Sequence, residues 1–290
     1  TIDGKVMAVA FMANTQHLYV RTDVLKENGI AIPKTYEDVV AASEKIRAAG
    51  KMKYPYAAAY KAGWNLAEEF VNMYIGHGGE FFKAGSAKPN INNAKGVATL
   101  NMLKKLADLS NPDYLTHDSE AIKVEWEAGN VAIMTLWASR SGTLLDDEGD
   151  AKITAATKLV APATVGGGNI PAATLWWDGF TLAKNRPDAD AEASFRAMAH
   201  AASSKEMVAK ASDQAVWLVE GFVPGPKSVG VIEAVKMGAK PYPMLPQMGL
   251  MHGALGSEIV EFLQGNESAE QALKDVEAAY MTKAKEQGFL

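Results

Sequence analysis

The side chains of this 290-residue chain that could do chemistry are five histidines, six tryptophans and a scatter of carboxylates, with no cysteine. The histidines are His17, His77, His117, His200 and His252. No two fall at the spacing that lets one helix face hold a metal, and thiolates cannot help. Disulfides and thiol catalysis are excluded with them. No Gly-x-Ser-x-Gly nucleophile elbow occurs. Gly166-Gly167-Gly168 lacks the Lys-Ser/Thr of a phosphate loop and reads as a flexible connection. The acidic run Asp146-Asp147-Glu148-Gly149-Asp150 has the wrong spacing for an EF-hand and reads as a solvated loop. No metal, cofactor or catalytic residue is therefore expected. Two other classes stay open. Carboxylates at a suitable separation would serve a glycoside hydrolase, but separation is a three-dimensional quantity. Several tryptophans with an aspartate would form an aromatic cage for a quaternary ammonium.

The composition, 48% hydrophobic and 22% charged, supplies one large core or two modest ones. The net charge of -5 is mild and no basic stripe appears, so nucleic acid is a poor candidate partner. No apolar run is long enough to span a bilayer. The chain opens Thr1-Ile2-Asp3-Gly4-Lys5, with neither an initiator Met nor a signal peptide, as a processed or trimmed product would.

Short β-like runs alternate with helical ones. Strands are expected at Val6–Ala10, Leu18–Val20, Tyr54–Tyr60, Val131–Leu136, Lys158–Ala161 and Trp177–Ala183. Helices are expected at Thr35–Ala49, Asn65–Ile75, Ala94–Leu109, Glu120–Ala128, Asp188–Ala202, from Glu206, and at Ser257–Leu263 and Ser268–Glu286. Thr35 with Asp38 three residues on, and Ser268 with Gln271, are N-terminal capping patterns. The alternation implies an α/β fold with mostly parallel sheets. Breaks near Phe11–Thr15, Gly166–Pro171 and Phe222–Pro226 are what a chain crossing between two lobes would show.

Several segments carry a resemblance, in order along the chain. Asp3-Gly4-Lys5-Val6-Met7-Ala8-Val9-Ala10 precedes Asn14-Thr15-Gln16-His17-Leu18-Tyr19-Val20. Lys26-Glu27-Asn28-Gly29-Ile30 precedes Ile32-Pro33-Lys34-Thr35-Tyr36-Glu37-Asp38. Then come Glu127-Ala128-Gly129-Asn130-Val131-Ala132-Ile133-Met134 and the tail from Met244-Leu245-Pro246-Gln247-Met248 to Asp275. Together they resemble the family 1 extracellular solute-binding proteins of bacterial ABC sugar importers, the maltose-binding-protein-like group. The resemblance implies a two-lobed periplasmic-binding-protein-like (type II) α/β fold that closes on its ligand by hinge bending. On that pattern residues 1–13 and 172–227 form a partial first lobe, and 14–171 with 228–290 form the second. The hinge crossovers fall near 11–15, 166–175 and 222–228. The family carries several βα units before the Asp-Gly-Lys segment, so the first lobe is expected to be incomplete in this chain.

The resemblance implies a monomeric, non-enzymatic binding component, periplasmic or lipid-anchored, that delivers a small carbohydrate or polyol to an ABC permease. Such a ligand needs aromatic faces for its C–H surfaces and a few fixed donors and acceptors for its hydroxyls. Trp137 stands where relatives carry a ligand-stacking tryptophan, with Ser139 and Arg140 as neighbouring donors. Trp176-Trp177-Asp178 begins the returning strand, where many relatives carry Gly-Gly. Only one of the two tryptophans can face the cleft, and Asp178 would accept hydroxyl hydrogens or pair with Arg140. Trp64 and Asn65 are expected in a loop at the carboxyl end of a strand, where α/β folds bind ligands, with Asn65 as N-cap the plain alternative. His252 replaces a ligand-contacting tryptophan, which puts maltodextrin specificity in doubt. Trp217 lies near the last crossover, and Trp126 is expected in the core. Asn14, Thr15 and Gln16 occupy the first crossover as donors and acceptors or as turn formers.

Overall fold

The structure, a computed structural model, describes residues 3–146 and 149–290, so Asp147 and Glu148 of the acidic run lie outside the described residues. Its strands form two four-stranded sheets. They are β1 (Val9–Asn14), β2 (Gln16–Arg21), β3 (Tyr56–Ala57), β4 (Ile133–Trp137), β5 (Thr157–Val160), β6 (Thr174–Phe180), β7 (Val216–Trp217) and β8 (Lys240–Pro241). One sheet has the order β7-β1-β6-β8 and the other β3-β4-β2-β5.

The first crossing is one residue long. β1 ends at Asn14 in one sheet, β2 begins at Gln16 in the other, and Thr15 lies between them. The expected break over Phe11–Thr15 is instead nearly continuous extended chain. β6 returns in the opposite sense after residues 161–173 and pairs antiparallel with β1, placing Trp176 opposite Asn14. β2 is likewise antiparallel to β4 and β5. Only β3/β4 and β6/β8 are parallel among the described strands. The expectation of mostly parallel sheets is thus corrected. Strands that leave and re-enter a sheet through neighbouring crossings run in opposite directions, whatever the alternation of helices and strands along the chain.

The helices are α1 (Thr22–Glu27), α2 (Tyr36–Ala48), α3 (Trp64–Gly76), α4 (Ala94–Ala107), α5 (Ser119–Glu127), α6 (Ser141–Leu144) and α7 (Ala151–Ala156). They continue with α8 (Asp188–Ser203), α9 (Lys205–Lys210), α10 (Val229–Lys236), α11 (Met248–Glu258), α12 (Val260–Gln264) and α13 (Ala269–Glu286). Thr35 and Asp38 make the capping box that starts α2, and the Ser268 side chain accepts from the Gln271 N–H at the start of α13. Several expectations shift. The first strand begins at Val9 rather than Val6, the strand at Tyr54–Tyr60 shrinks to two paired residues, the strand expected at Trp177–Ala183 runs Thr174–Phe180, and α1, α6, α7, α10 and α11 lie outside the expected helices. α11 is apolar on most sides, so it has no clear helical stripe to read.

The main core lies among α3, α4, α11 and α13, with Leu66, Phe70, Leu103, Leu255, Leu273 and Val276 all buried. A second cluster under β2 and β4 holds Tyr19, Met134, Leu136 and, as expected, Trp126. α3 is buried over every residue from Leu66 to Gly76. Its start is set by Gly63, whose φ of 96° is open to glycine at little cost. Gly63 N–H also donates to the Gly256 carbonyl at 3.0 Å. A Cβ on Gly256 would sit 2.3 Å from the Gly63 oxygen, so glycine there lets α11 reach the head of α3.

Candidate functional site

That close approach assembles an aromatic cluster at the crossings. Trp137 is the last residue of β4, opposite Gln16. Trp176 comes from β6 in the other sheet, and Trp64 is the first residue of α3. Ring centroids are 6.3 Å apart for Trp64–Trp137, 5.9 Å for Trp64–Trp176 and 6.1 Å for Trp137–Trp176. The two rings facing Trp176 meet it edge-on, at 61° and 83°. Tyr242, just after β8, packs tilted at 39° with its ring 4.4 Å from Trp176, and His252 on α11 lies 5.0 Å from Trp64. Trp64 keeps 51% of its surface exposed, so the cluster offers aromatic faces to solvent on one side.

The neighbours hold these rings in place. Tyr19 donates its hydroxyl to the Trp137 carbonyl at 3.0 Å, beneath the turn that carries Trp137 and Ser139. Asn14 joins the two sheets through that turn. Its amide donates to Ser139 Oγ at 3.1 Å, and its oxygen accepts from the Ser139 and Thr15 backbone N–H groups at 3.1 and 3.0 Å. His252 is buried, and its Nε2 lies 2.9 Å from the Trp64 carbonyl. A carbonyl only accepts, so Nε2 carries the hydrogen and Nδ1 accepts from the Tyr242 hydroxyl at 2.9 Å. Burial lowers the pKa of His252, in keeping with a neutral ring. Both nitrogens are used within the protein, so His252 braces Trp64 and Tyr242.

The other predicted residues are sorted by the fold. Of the adjacent tryptophans, Trp176 joins the cluster. Trp177 points to the opposite face, 47% exposed, with its ring over Gly179. Asp178 is exposed, and partial desolvation raises its pKa. Arg140 pairs with Glu120 rather than with Asp178. Asn65 lies in the first turn of α3 and is not its N-cap, because Gly63 starts the helix sooner than a loop through Trp64 and Asn65 would allow. Trp217 is apart from the cluster. It donates to the Ala211 carbonyl at 2.7 Å and lines a small apolar cavity of about 220 Å³ with Phe11, Phe180 and Val208.

Directly behind Trp176 lies a buried polar network in which Gln16, expected as a donor and acceptor at the first crossover, meets Glu68, Glu69, Asn72 and Thr174, which no motif singles out. Glu68 and Glu69 on α3 are 0% and 3% exposed. Glu68 Oε1 is 2.7 Å from Thr174 Oγ1 and accepts from Trp176 Nε1 at 3.1 Å. Trp176 Nε1 also donates to Thr174 Oγ1 at 2.8 Å. Thr174 Oγ1 is 2.7 Å from Asn72 Oδ1, Asn72 Nδ2 donates to Gln16 Oε1 at 3.0 Å, and Gln16 Nε2 donates to Glu69 Oε1 at 2.9 Å. Burial pushes both carboxyls up to about 8. Two adjacent glutamates inside a largely apolar helix were the available clue. A buried helix conceals them because its face cannot be read from helical periodicity.

Comparison with known proteins gives a consistent picture. The family model for bacterial extracellular solute-binding proteins matches residues 1–208. A probable ABC transporter-binding protein of Deinococcus radiodurans is 31% identical over 193 residues, which are 64% of this chain and 44% of that protein. The chain thus spans less than half the length of that curated relative. Among solved structures, maltose-bound MalE3 of T. maritima is similar with a TM-score of 0.83 at 20% identity, over 97% of this chain and 74% of that one. A solute-binding protein of Agrobacterium vitis with bound D-mannitol gives 0.80 at 17% identity, over 99% and 75%. At these identities the likeness establishes the fold, which is α/β and two-lobed.

Proposed function

Because the chain belongs to the bacterial extracellular solute-binding proteins, we propose that it serves as the substrate-binding component of an ABC importer, capturing a small carbohydrate or polyol. The observation that carries this reading is the triangle of Trp64, Trp137 and Trp176, contributed by both sheets where the chain crosses between them. Flat apolar rings suit the C–H faces of a sugar, and Asn14, Ser139 and Asp178 supply polar atoms for its hydroxyls. Similar proteins hold maltose and D-mannitol. A micromolar dissociation constant corresponds to about 8.2 kcal/mol, within reach of a few stacked rings and hydrogen bonds after ordering costs.

The crossings at Thr15 and at residues 161–173 serve as hinges, and closure brings the first-sheet side onto the ligand. The closed monomer then docks on a membrane permease outside the cytoplasmic membrane. Among the described residues no helix is long and apolar enough to cross a membrane. The role is binding rather than catalysis. Glu68 and Glu69 are enclosed and engaged with neighbouring side chains, unlike two carboxyls flanking an open bond.

Calorimetric titration of maltose, D-mannitol, choline and betaine tests the reading. Saturable heat with a sugar or polyol is expected. Heat from the cations alone would replace this reading with an aromatic cage for quaternary ammonium, and steady sugar release at stoichiometric protein would replace it with a glycosidase.

A further inference from the structure

With the Asn72 and Gln16 amides oriented so that Asn72 Nδ2 donates to Gln16 and Gln16 Nε2 donates to Glu69, the hydrogen bonds behind Trp176 do not close for an ionised Glu68. The Thr174 hydroxyl has one hydrogen and two oxygens within 2.7 Å, Glu68 Oε1 and Asn72 Oδ1. If Glu68 is a carboxylate, one of those contacts is two acceptors face to face. If Glu68 is a neutral acid with its hydrogen on Oε1, every contact has one donor and one acceptor. Glu68 donates to Thr174, Thr174 to Asn72, Asn72 to Gln16, and Gln16 to Glu69, while Trp176 Nε1 donates into Thr174. The chain also has the right anchors. Gln16 opens β2 on the first crossing, and Thr174 opens β6 on the return crossing. Glu68, Glu69 and Asn72 sit on α3, the most enclosed helix of the core.

We infer that Glu68 is a positioning residue: as the neutral acid it heads a one-way hydrogen-bond chain that sets the Trp176 indole and ties both crossing strands to α3. The inference rests on the reading of the aromatic cluster as the ligand site, because setting Trp176 matters only if that ring meets the ligand. The surroundings favour the neutral form. Its titratable neighbours are Glu69 on the same helix and Tyr242 on the segment after β8, with His252 behind Tyr242. Tyr36, Tyr56 and Tyr60 face Glu69 from the other side. No lysine or arginine forms an ion pair with either glutamate among the described residues. Every neighbouring charge that can form is negative apart from a His252 that burial keeps neutral, so burial alone is enough to hold the proton. Glu68 Oε2 has no hydrogen-bond partner, a further reason for the group not to ionise.

The experiment is a pH titration of tryptophan emission in the ligand-free protein, from about pH 6 to pH 9.5, so it needs no knowledge of the ligand. A step centred near the pKa of about 8 is expected in the wild type. It should vanish in Glu68→Gln, whose amide donates to Thr174 as the neutral acid does but cannot titrate. It should also vanish in Trp176→Phe, which removes the reporter, and persist in Glu69→Gln. A step that survives in Glu68→Gln or in Trp176→Phe, or a wild type without one, overturns the inference. In parallel, wild-type affinity for D-mannitol or maltose should fall about tenfold per pH unit above the step, the slope of one linked proton. For Glu68→Gln the ratio of affinities at pH 7 and pH 9 should stay within about twofold. Failure of both sugars to bind removes the sugar reading, while the emission step still decides the state of Glu68.

Discussion

The two sheets are built to different degrees of enclosure. In β2, the centre of the second sheet, all six residues are buried, and β4 buries four of its five. In β1 only Asn14 is buried, and in β6 only Thr174. α8, sixteen residues on the same side, buries none, and its Phe195 is 48% exposed. The residues that are buried in β1 and β6 are therefore those at the crossings, where Asn14 bonds Ser139 and Thr174 joins the polar network. Burial is concentrated in the second sheet and its helices, and at the crossings the first sheet bonds to them through Asn14, Thr174 and Trp176. The proposed binding role fits this division, with an enclosed frame to set the rings and a less enclosed partner surface attached at the crossings.

The comparison is broken most directly by truncating one residue from each sheet. Leu136→Ala truncates a fully buried side chain of β4 and should lower unfolding stability by about 2–5 kcal/mol. Val9→Ala, at a residue 37% exposed, should cost no more than about 0.5 kcal/mol. Chemical denaturation measures both, and equal losses would mean that the two sheets share one core.

The next effect separates two tryptophans. Trp137→Ala should weaken sugar or polyol binding by about 2 kcal/mol, roughly thirtyfold, while Trp217→Phe should leave it unchanged. Trp217 belongs to the small cavity beneath the first sheet, away from the ring triangle. Calorimetry of the two variants with the same ligand sharpens the assignment, and a loss with Trp217→Phe would extend the site across the sheet.

The smallest effect concerns pH. Glu69 has a folded-state pKa raised to about 8 from 4.5, so the folded protein keeps a proton that the unfolded chain gives up. That contribution is fully present below about pH 4.5 and is lost as pH rises toward 8. Glu69→Gln should therefore gain about 1–2 kcal/mol over wild type at high pH and little in acid. His17 acts with the opposite sign. Burial lowers it from 6.5 to about 4, so its contribution is present at neutral pH and lost as pH falls through that window. Thermal unfolding across pH, with and without Glu69→Gln, resolves the two.

Much of the fold was legible because its causes are local. Thr35 with Asp38, Ser268 with the Gln271 backbone, and the glycines at helix ends act within one turn of chain. The antiparallel pairing of β1 with β6 was not legible, since it depends on partners more than 150 residues apart and on the sense in which each crossing runs. The tryptophans announced themselves by type. Tyr242, a core-like aromatic after a two-residue strand, gave no such signal, and its place beside Trp176 comes from β8 pairing with Thr174 and Leu175.

By itself, the sequence determined the α/β class, the family pattern, the exclusion of thiol and phosphate-loop chemistry, and a short set of aromatic candidates. Side-chain alternation also required that Trp176 and Trp177 face opposite ways. Only the tertiary structure decided which of the two joins Trp64 and Trp137, that Arg140 goes to Glu120, and that Glu68 and Glu69 are buried. The physical reason is that residue type and periodicity are properties of the chain, whereas desolvation is a property of what packs around it. The glutamates acquire their unusual character only when α3 is closed in by α4, α11 and the crossing strands.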